Sequence, residues 1–268
     1  MSKKREFEPQ EQIQVCVDFI KRYFSENGNP NTKAVIGISG GKDSTIAAAL
    51  LVRALGPDRV VGVMMPQGTQ KDLADAKEVC DILGIRQYTI NIGYVCTALY
   101  EDFTKHTDLE LSAQIQTNTP ARIRMTTLYM VAAAVGGRVI NTGNASEAFI
   151  GYTTKYGDLA GDMALFKELT VREIFAMGDA MEELPVHLVH KAPADGMSGK
   201  TDEENTGIPY DAVDDFLLDD VLPDMKVYER MMAAHNRNMH KSVINLPAPY
   251  RVWGHLRHSG VCEDYWSF

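Results

Sequence analysis

The sequence predicts an α/β protein with a doubly wound parallel sheet covered by helices, and three observations carry that expectation. Short apolar runs of the kind that fully buried parallel strands show recur along the chain. Stretches with helical spacing of apolar residues alternate with them. Two of the runs end in glycine-bearing loops, at Gly40-Gly41 and at Gly143-Asn144.

The first helix is expected over Glu11 to Ser25, where Ile13, Val17, Phe19, Ile20 and Phe24 recur at near-helical spacing before Gly28, Asn29 and Pro30 stop it. Ala34 to Ile38 reads as a buried strand, followed by small residues and a helix over Thr45 to Leu55. The alternation repeats with a strand at Arg59 to Met65, a helix at Lys71 to Leu83 ended by Gly84, and a strand at Arg86 to Ile92. Thr119 to Val135 reads as a helix with Leu128, Val131 and Ala132 to Ala134 available for burial, and Arg138 to Thr142 as a further strand. Lys191 to Pro209, rich in Gly, Pro, Asp and Thr, reads as a long irregular loop of the kind that forms lids. Helices are expected again over Asp211 to Leu222 and Met225 to Met239. With no repeat, low-complexity tract or linker, residues 1–268 read as one domain.

Composition narrows the partners. The formal charge of −9, from 36 acidic against 27 Lys and Arg residues, argues against a default affinity for nucleic acid or an anionic membrane. Met1 to Gln10 carries no apolar core of a signal peptide, and no run of about 18 apolar residues occurs, so a cytoplasmic protein is expected. Cys16, Cys80, Cys96 and Cys262 lack the spacing of a zinc site, a redox dithiol or a disulfide framework. The 13 methionines are dispersed, as core filler is.

In an open parallel sheet ligands bind beyond the carboxyl ends of the strands, which directs attention to Ser39-Gly40-Gly41-Lys42-Asp43-Ser44-Thr45. Adjacent glycines admit positive φ and close backbone approach, successive N–H groups form an anion nest, and the next helix presents its positive end. The loop lacks the Walker spacing, so γ-phosphoryl transfer is not implied. The plainer alternative is an ordinary Gly-Gly turn in which Asp43 or Ser44 caps a helix.

This S-G-G-x-D-S loop resembles that of the ATP-pyrophosphatase superfamily, whose members adenylate a substrate and hold the departing pyrophosphate. Asp43 sets a carboxylate beside the nest, which calls for a cation between them, and Mg2+ is implied. Three further segments follow: Ala121-Arg122-Ile123-Arg124-Met125, then Thr142-Gly143-Asn144-Ala145-Ser146-Glu147, then Thr154-Lys155-Tyr156-Gly157-Asp158 with Asp162 behind. Together with the loop they closely resemble the NAD synthetase family, from about Lys33 to Lys241.

That resemblance implies an adenine nucleotide alpha hydrolase-like, Rossmann-like three-layer fold. It also implies conversion of deamido-NAD, ATP and ammonia to NAD, AMP and pyrophosphate through an adenylated nicotinate. Gly37, Ile38, Ser39, Gly40, Gly41, Lys42, Asp43, Ser44 and Thr142 would line the ATP site. Asp43 and Glu147 would share the metal, which with fixed donors neutralises the charge that builds up as an anion attacks a polyanion. Arg122, Lys155, Asp162, His240 and Lys241 would contact deamido-NAD, with Asp43 and Lys155 as the catalytic pair. The bland readings are a solvated Arg122, a helix-capping Glu147, a simple turn at Thr154 to Asp158 and an exposed His240-Lys241 pair.

Two departures from the family pattern stand out: Val171, followed by Arg172, replaces a common lysine, and Ala194 replaces a hydroxyl residue after Pro193. Arg172 is a candidate substitute. Glutamine-dependent relatives carry an extra amidase domain for which 268 residues leave no room, so free ammonia is the expected donor, and the resemblance implies a homodimer. Two other readings are an ATP-pyrophosphatase that modifies tRNA, which would favour paired cysteines or a basic surface, and a nucleotide-binding module without turnover.

Overall fold

The computed structural model describes residues 7–68, 73–191 and 201–241. The elements run in order α1 (Pro9–Glu26), β1 (Lys33–Gly37), α2 (Lys42–Leu55), β2 (Val60–Met64), α3 (Leu73–Leu83) and β3 (Arg86–Thr89). Next come α4 (Gly93–His106), α5 (Ala113–Val135), β4 (Gly137–Asn141), α6 (Ala145–Ile150) and β5 (Met163–Ala164). The described chain ends with α7 (Val171–Asp179), α8 (Val186–Val189), α9 (Asp202–Thr206), α10 (Tyr210–Asp219) and α11 (Met225–Asn238).

All strand pairs are parallel and their order is β3-β2-β1-β4-β5. The pleat sends alternate side chains to opposite faces, and the β1 residues show it. Ala34 and Ile36 join a core with α1, α2, α3, α7 and α8, whereas Val35 joins Val61, Val63 and Val139 beneath Val131 and Ala132 of α5. Two helical layers therefore enclose the sheet. A third apolar cluster, with Phe149, Phe216 and Met231, packs α6, α10 and α11 together.

The expected strands and helices are all present, with shifted ends. The helix expected from Thr119 begins at Ala113, where the Ser112 side chain accepts the Ile115 N–H, and it runs through Pro120. Proline suits a first turn, but here two turns of helix precede it. Of its residues expected in the core, Val131 and Ala132 are buried, but Ala133 and Ala134 are exposed. The long loop expected at Lys191 to Pro209 contains α9, whose start is a capping box in which Thr201 and Glu204 exchange hydrogen bonds. Residues 192–200, with Ala194, and Cys262 lie outside the described residues; Cys16, Cys80 and Cys96 are buried free thiols.

One buried knot ties α6, α7 and α10. Asp214 is 1% exposed; its Oδ1 accepts from Ser146 Oγ at 2.5 Å and its Oδ2 from the Arg172 N–H at 2.7 Å. Ser146 Oγ in turn accepts the Val171 N–H at 3.0 Å. Burial pushes the Asp214 carboxyl up to about 7 against the help of these hydrogen bonds and of the Arg172 charge. A carboxyl raised in the folded state contributes stability that is complete below its unfolded value near 4 and lost as pH rises through about 7. The stability of the parent relative to Asp214→Asn should accordingly fall by roughly 2–4 kcal/mol between pH 4 and pH 8, measured by urea denaturation. A pH-independent difference would place the proton elsewhere.

Candidate active site

β1 and β4 lie side by side, yet the chain leaves β1 toward β2 and leaves β4 toward β5. That reversal opens a crevice at the carboxyl ends of the two strands, and both expected loops border it.

At the β1 loop, Gly40 has φ 78°, a left-handed conformation that favours glycine, while Gly41 has φ −89° and needs no such freedom. The Gly41 N–H donates to Ser39 Oγ at 3.2 Å, the Ser39 N–H to Ser44 Oγ at 3.3 Å, and Thr45 Oγ1 to the Gly41 carbonyl at 2.8 Å. The loop is thus braced by its own hydroxyls. The first helical bond of α2 is from the Thr45 N–H to the Gly41 carbonyl, so the N–H groups of Lys42, Asp43 and Ser44 precede it and face out of the helix end. The expected nest is formed at the end of the helix that carries partial positive charge.

No side chain caps α2, which sets aside the plain reading of Asp43 or Ser44 as a cap. Asp43 does something else: its Oδ2 accepts from Lys42 Nζ at 2.8 Å, and its buried Oδ1 has no hydrogen-bond partner. Glu147 stands in the first turn of α6, after β4, and exchanges hydrogen bonds with Asn144: its Oε2 accepts the Asn144 N–H and its own N–H donates to Asn144 Oδ1. The capping role is real, but it does not exhaust the residue. Burial, and then the Asp43 charge, push the Glu147 carboxyl up to about 8, with Lys42 acting in the opposite direction. Two carboxyl groups from the first turns of α2 and α6, the helices that follow β1 and β4, therefore act on one another. Among the described residues no group of three or more His, Cys, Asp or Glu could hold a metal ion, so the pair would have to complete its coordination with ligand oxygens.

Two residues absent from the expected set join this centre. Asp202, at the start of α9, adds its charge to both Lys42 and Glu147. Tyr210 Oη donates to Asp202 Oδ2 at 3.5 Å. Tyr210 is raised well above its ordinary value by burial, then by Glu147, Asp202 and Asp43. The capping signature Thr201-x-x-Glu204 marked a helix start there, but nothing local revealed that the chain returns to the nest.

Of the five residues expected at deamido-NAD, four are brought together. Arg122 Nε donates to the Lys155 carbonyl at 3.3 Å, and Lys155 Nζ donates to the His240 carbonyl at 2.9 Å. Lys241 Nζ donates to the Gly151 and Thr153 carbonyls at 2.8 and 2.7 Å. Burial lowers Lys241, Asp158 raises it, and the Arg237 and Arg122 charges lower it further. Cations distant in sequence thus form one basic cluster beside the Thr154–Asp158 turn, where the Asp158 carboxylate accepts the Thr154 N–H.

Asp162 is placed differently from that expectation. Its Oδ2 accepts the Val139 N–H at 2.7 Å, its Oδ1 accepts from Tyr129 Oη at 3.4 Å, and its carbonyl accepts from Tyr23 Oη. These bonds join α1, α5 and β4. Arg172, the candidate substitute for the missing lysine, pairs its guanidinium with Asp215 and Asp219 of α10. Thr142 follows β4 directly, at the crevice and half-buried.

A parallel sheet with an anion nest at its switch point is the arrangement that nucleotide-binding α/β proteins share. A profile of the family described as NAD synthase matches residues 12–246. The NH(3)-dependent NAD(+) synthetase of Pyrococcus furiosus is 37% identical over 218 residues, 81% of this chain and 80% of that protein. Among solved structures, the NMN synthetase of Francisella tularensis superposes with a TM-score of 0.82 at 33% identity, covering 91% of this chain and all of that one. The NH3-dependent NAD synthetase of Campylobacter jejuni gives 0.70 at 27%, with 90% and 98% covered. The chain belongs to the NAD synthase family.

Proposed function

We propose that the chain is an ammonia-dependent ligase that converts deamido-NAD, ATP and ammonia to NAD, AMP and pyrophosphate. The observation that carries this reading is the junction of the nest with the Asp43–Glu147 pair at the switch point, where Asp43 Oδ1 is buried without a partner. The N–H groups at the start of α2 bind the β and γ phosphates and stabilise the pyrophosphate as it leaves. Thr142 borders the adenine nucleotide from the β4 side. Arg122, Lys155, His240 and Lys241 hold the polyanionic dinucleotide and orient its nicotinate carboxylate toward the α-phosphorus. Lys155 is the cation we assign to the reacting groups. Asp162 belongs to the deamido-NAD side in this reading, with its side chain fixed by the Val139 N–H and by Tyr129 Oη.

Asp43 and Glu147 fit a hard divalent cation, since both are oxygen donors and one oxygen lacks a partner. Mg2+ bound there would offset the negative charge of the phosphates.

Homodimerisation is supported by the outer face of α4 and α5. There Tyr94, Val95, Leu99 and Met130 are 85%, 55%, 51% and 59% exposed, apolar side chains of the kind that an interface between subunits covers. No helix among the described residues is long and apolar enough to cross a membrane, which is consistent with a cytoplasmic biosynthetic enzyme.

A second reading is amidation of the mononucleotide. It is favoured by the closer fit to the NMN synthetase of Francisella tularensis, a TM-score of 0.82 against 0.70. One assay addresses both: purified protein with ATP, magnesium and ammonium, given deamido-NAD or nicotinate mononucleotide, while amide product, AMP and pyrophosphate are quantified. Equimolar formation of the three with higher kcat/KM for deamido-NAD is the expected result. A preference for the mononucleotide replaces the substrate and keeps the reaction class. Pyrophosphate release indifferent to either carboxylate would sink both.

A further inference from the structure

Lys42 stands where two local preferences oppose it. It opens α2, at the end of a helix whose dipole repels cations, and its side chain is 2% exposed, although an ammonium ion is costly to bury. A sequence violates such rules where function demands it. Its surroundings supply the reason: Nζ donates to Asp43 Oδ2 at 2.8 Å, lies 5.5 Å from the centre of the Phe175 ring, and is attracted by Glu147 and Asp202. The ammonium is bound by Asp43, lies over an aromatic face and feels the charges of two further acidic residues. Asp43 is thereby split, with one oxygen held by the lysine and the other buried without a partner.

We propose that Lys42 is the resident counter-ion of the Asp43–Glu147 pair in the metal-free protein, and that a divalent cation binds in competition with it. This rests on the reading of those two carboxylates as the metal pair. The carboxylate of Asp43, one oxygen of which is buried without a partner, is unfavourable beside the Glu147 carboxyl without a cation, and Lys42 supplies one from within the nest itself. A divalent ion arriving at Asp43 repels the ammonium group, for which a phosphate held in the neighbouring nest is then the nearest counter-charge. Loading the metal therefore delivers a second positive charge toward the phosphates.

The test is Mn2+ binding to the full-length protein without nucleotide, followed by electron paramagnetic resonance, in the parent, Lys42→Met, Lys42→Gln and Lys42→Arg. Both neutral variants should bind Mn2+ at least about tenfold more tightly, and Lys42→Arg, which keeps the charge, should stay within about threefold of the parent. The neutral variants should also melt below the parent without metal and gain more from saturating Mn2+. Unchanged or weaker Mn2+ affinity in folded neutral variants, with binding abolished by Asp43→Asn, would overturn the role of Lys42 and leave the metal pair standing. Tight Mn2+ binding that survives Asp43→Asn in the Lys42→Met background would overturn the metal pair instead. Neutral variants that fail to fold even in Mn2+ would show that the lysine cannot be replaced by an ion, which also rejects the proposal.

Discussion

Glu147→Gln is expected to lower turnover by at least about 100-fold, equivalent to roughly 2.7 kcal/mol of transition-state stabilisation, while leaving the protein at least as stable at pH 8. Glutamine keeps the acceptor that receives the Asn144 N–H, since Glu and Gln serve equally in a capping box. What it removes is the carboxyl that burial and Asp43 raise to about 8. In the folded parent that group holds its proton up to about 8, whereas in the unfolded chain it releases it near 4.5, so its contribution to stability fades as pH rises between those values. The variant should therefore gain on the parent by roughly 1–3 kcal/mol from pH 4.5 to pH 8. Denaturation at both pH values, beside turnover, checks the pair of statements. A variant that is active within tenfold of the parent would release Glu147 from the site.

Asp43→Asn should have an effect on turnover of similar size for a different reason. It removes the charge that faces the cation and leaves Lys42 with only Glu147 and Asp202 as counter-charges. Because those two remain, destabilisation should stay near ~1 kcal/mol, a loss of about 2–4 °C in Tm for a chain of this size. A fall in Tm large enough to account for the lost activity would make Asp43 a structural residue. Recovery of much of the turnover at high Mg2+ would support its role in binding the ion.

The part of this architecture legible in the sequence is the part where local signals agree with tertiary structure. β1 is a run of apolar residues because both its faces are covered, and Gly40 is required by its φ of 78°, so strand, nest and helix announce themselves within a dozen residues. α4 was missed because a surface helix in which only Cys96 is buried has little periodicity to read. α6 and α9 are too short for periodicity, and their signal lies in the capping boxes Asn144/Glu147 and Thr201/Glu204, whereas α7 carries both the Thr170/Glu173 box and an apolar face at Val171, Ile174 and Met177. β5 has two residues and exists through its pairing with β4. In the site, motif order identified Asp43, Glu147 and the basic cluster, but the charges of Asp202 on Lys42 and Glu147 arise from a return of the chain that no spacing encodes. Asp162 shows the converse: a residue singled out by motif whose visible bonds are to α1, α5 and β4.

The ties from Lys155 to the His240 carbonyl and from Lys241 to the Gly151 and Thr153 carbonyls span 85 to 90 residues, and they give the two halves of the proposed site different birthdays on the ribosome. The nest and both of its carboxylates are encoded by Ser39 to Glu147, so a nascent chain possesses them when little more than half of it has emerged. The basic cluster cannot close until Lys241 has left the exit tunnel and docked under the loop after α6. A nascent chain thus acquires the nest well before the basic cluster, so the closing of that cluster reports a late stage of folding.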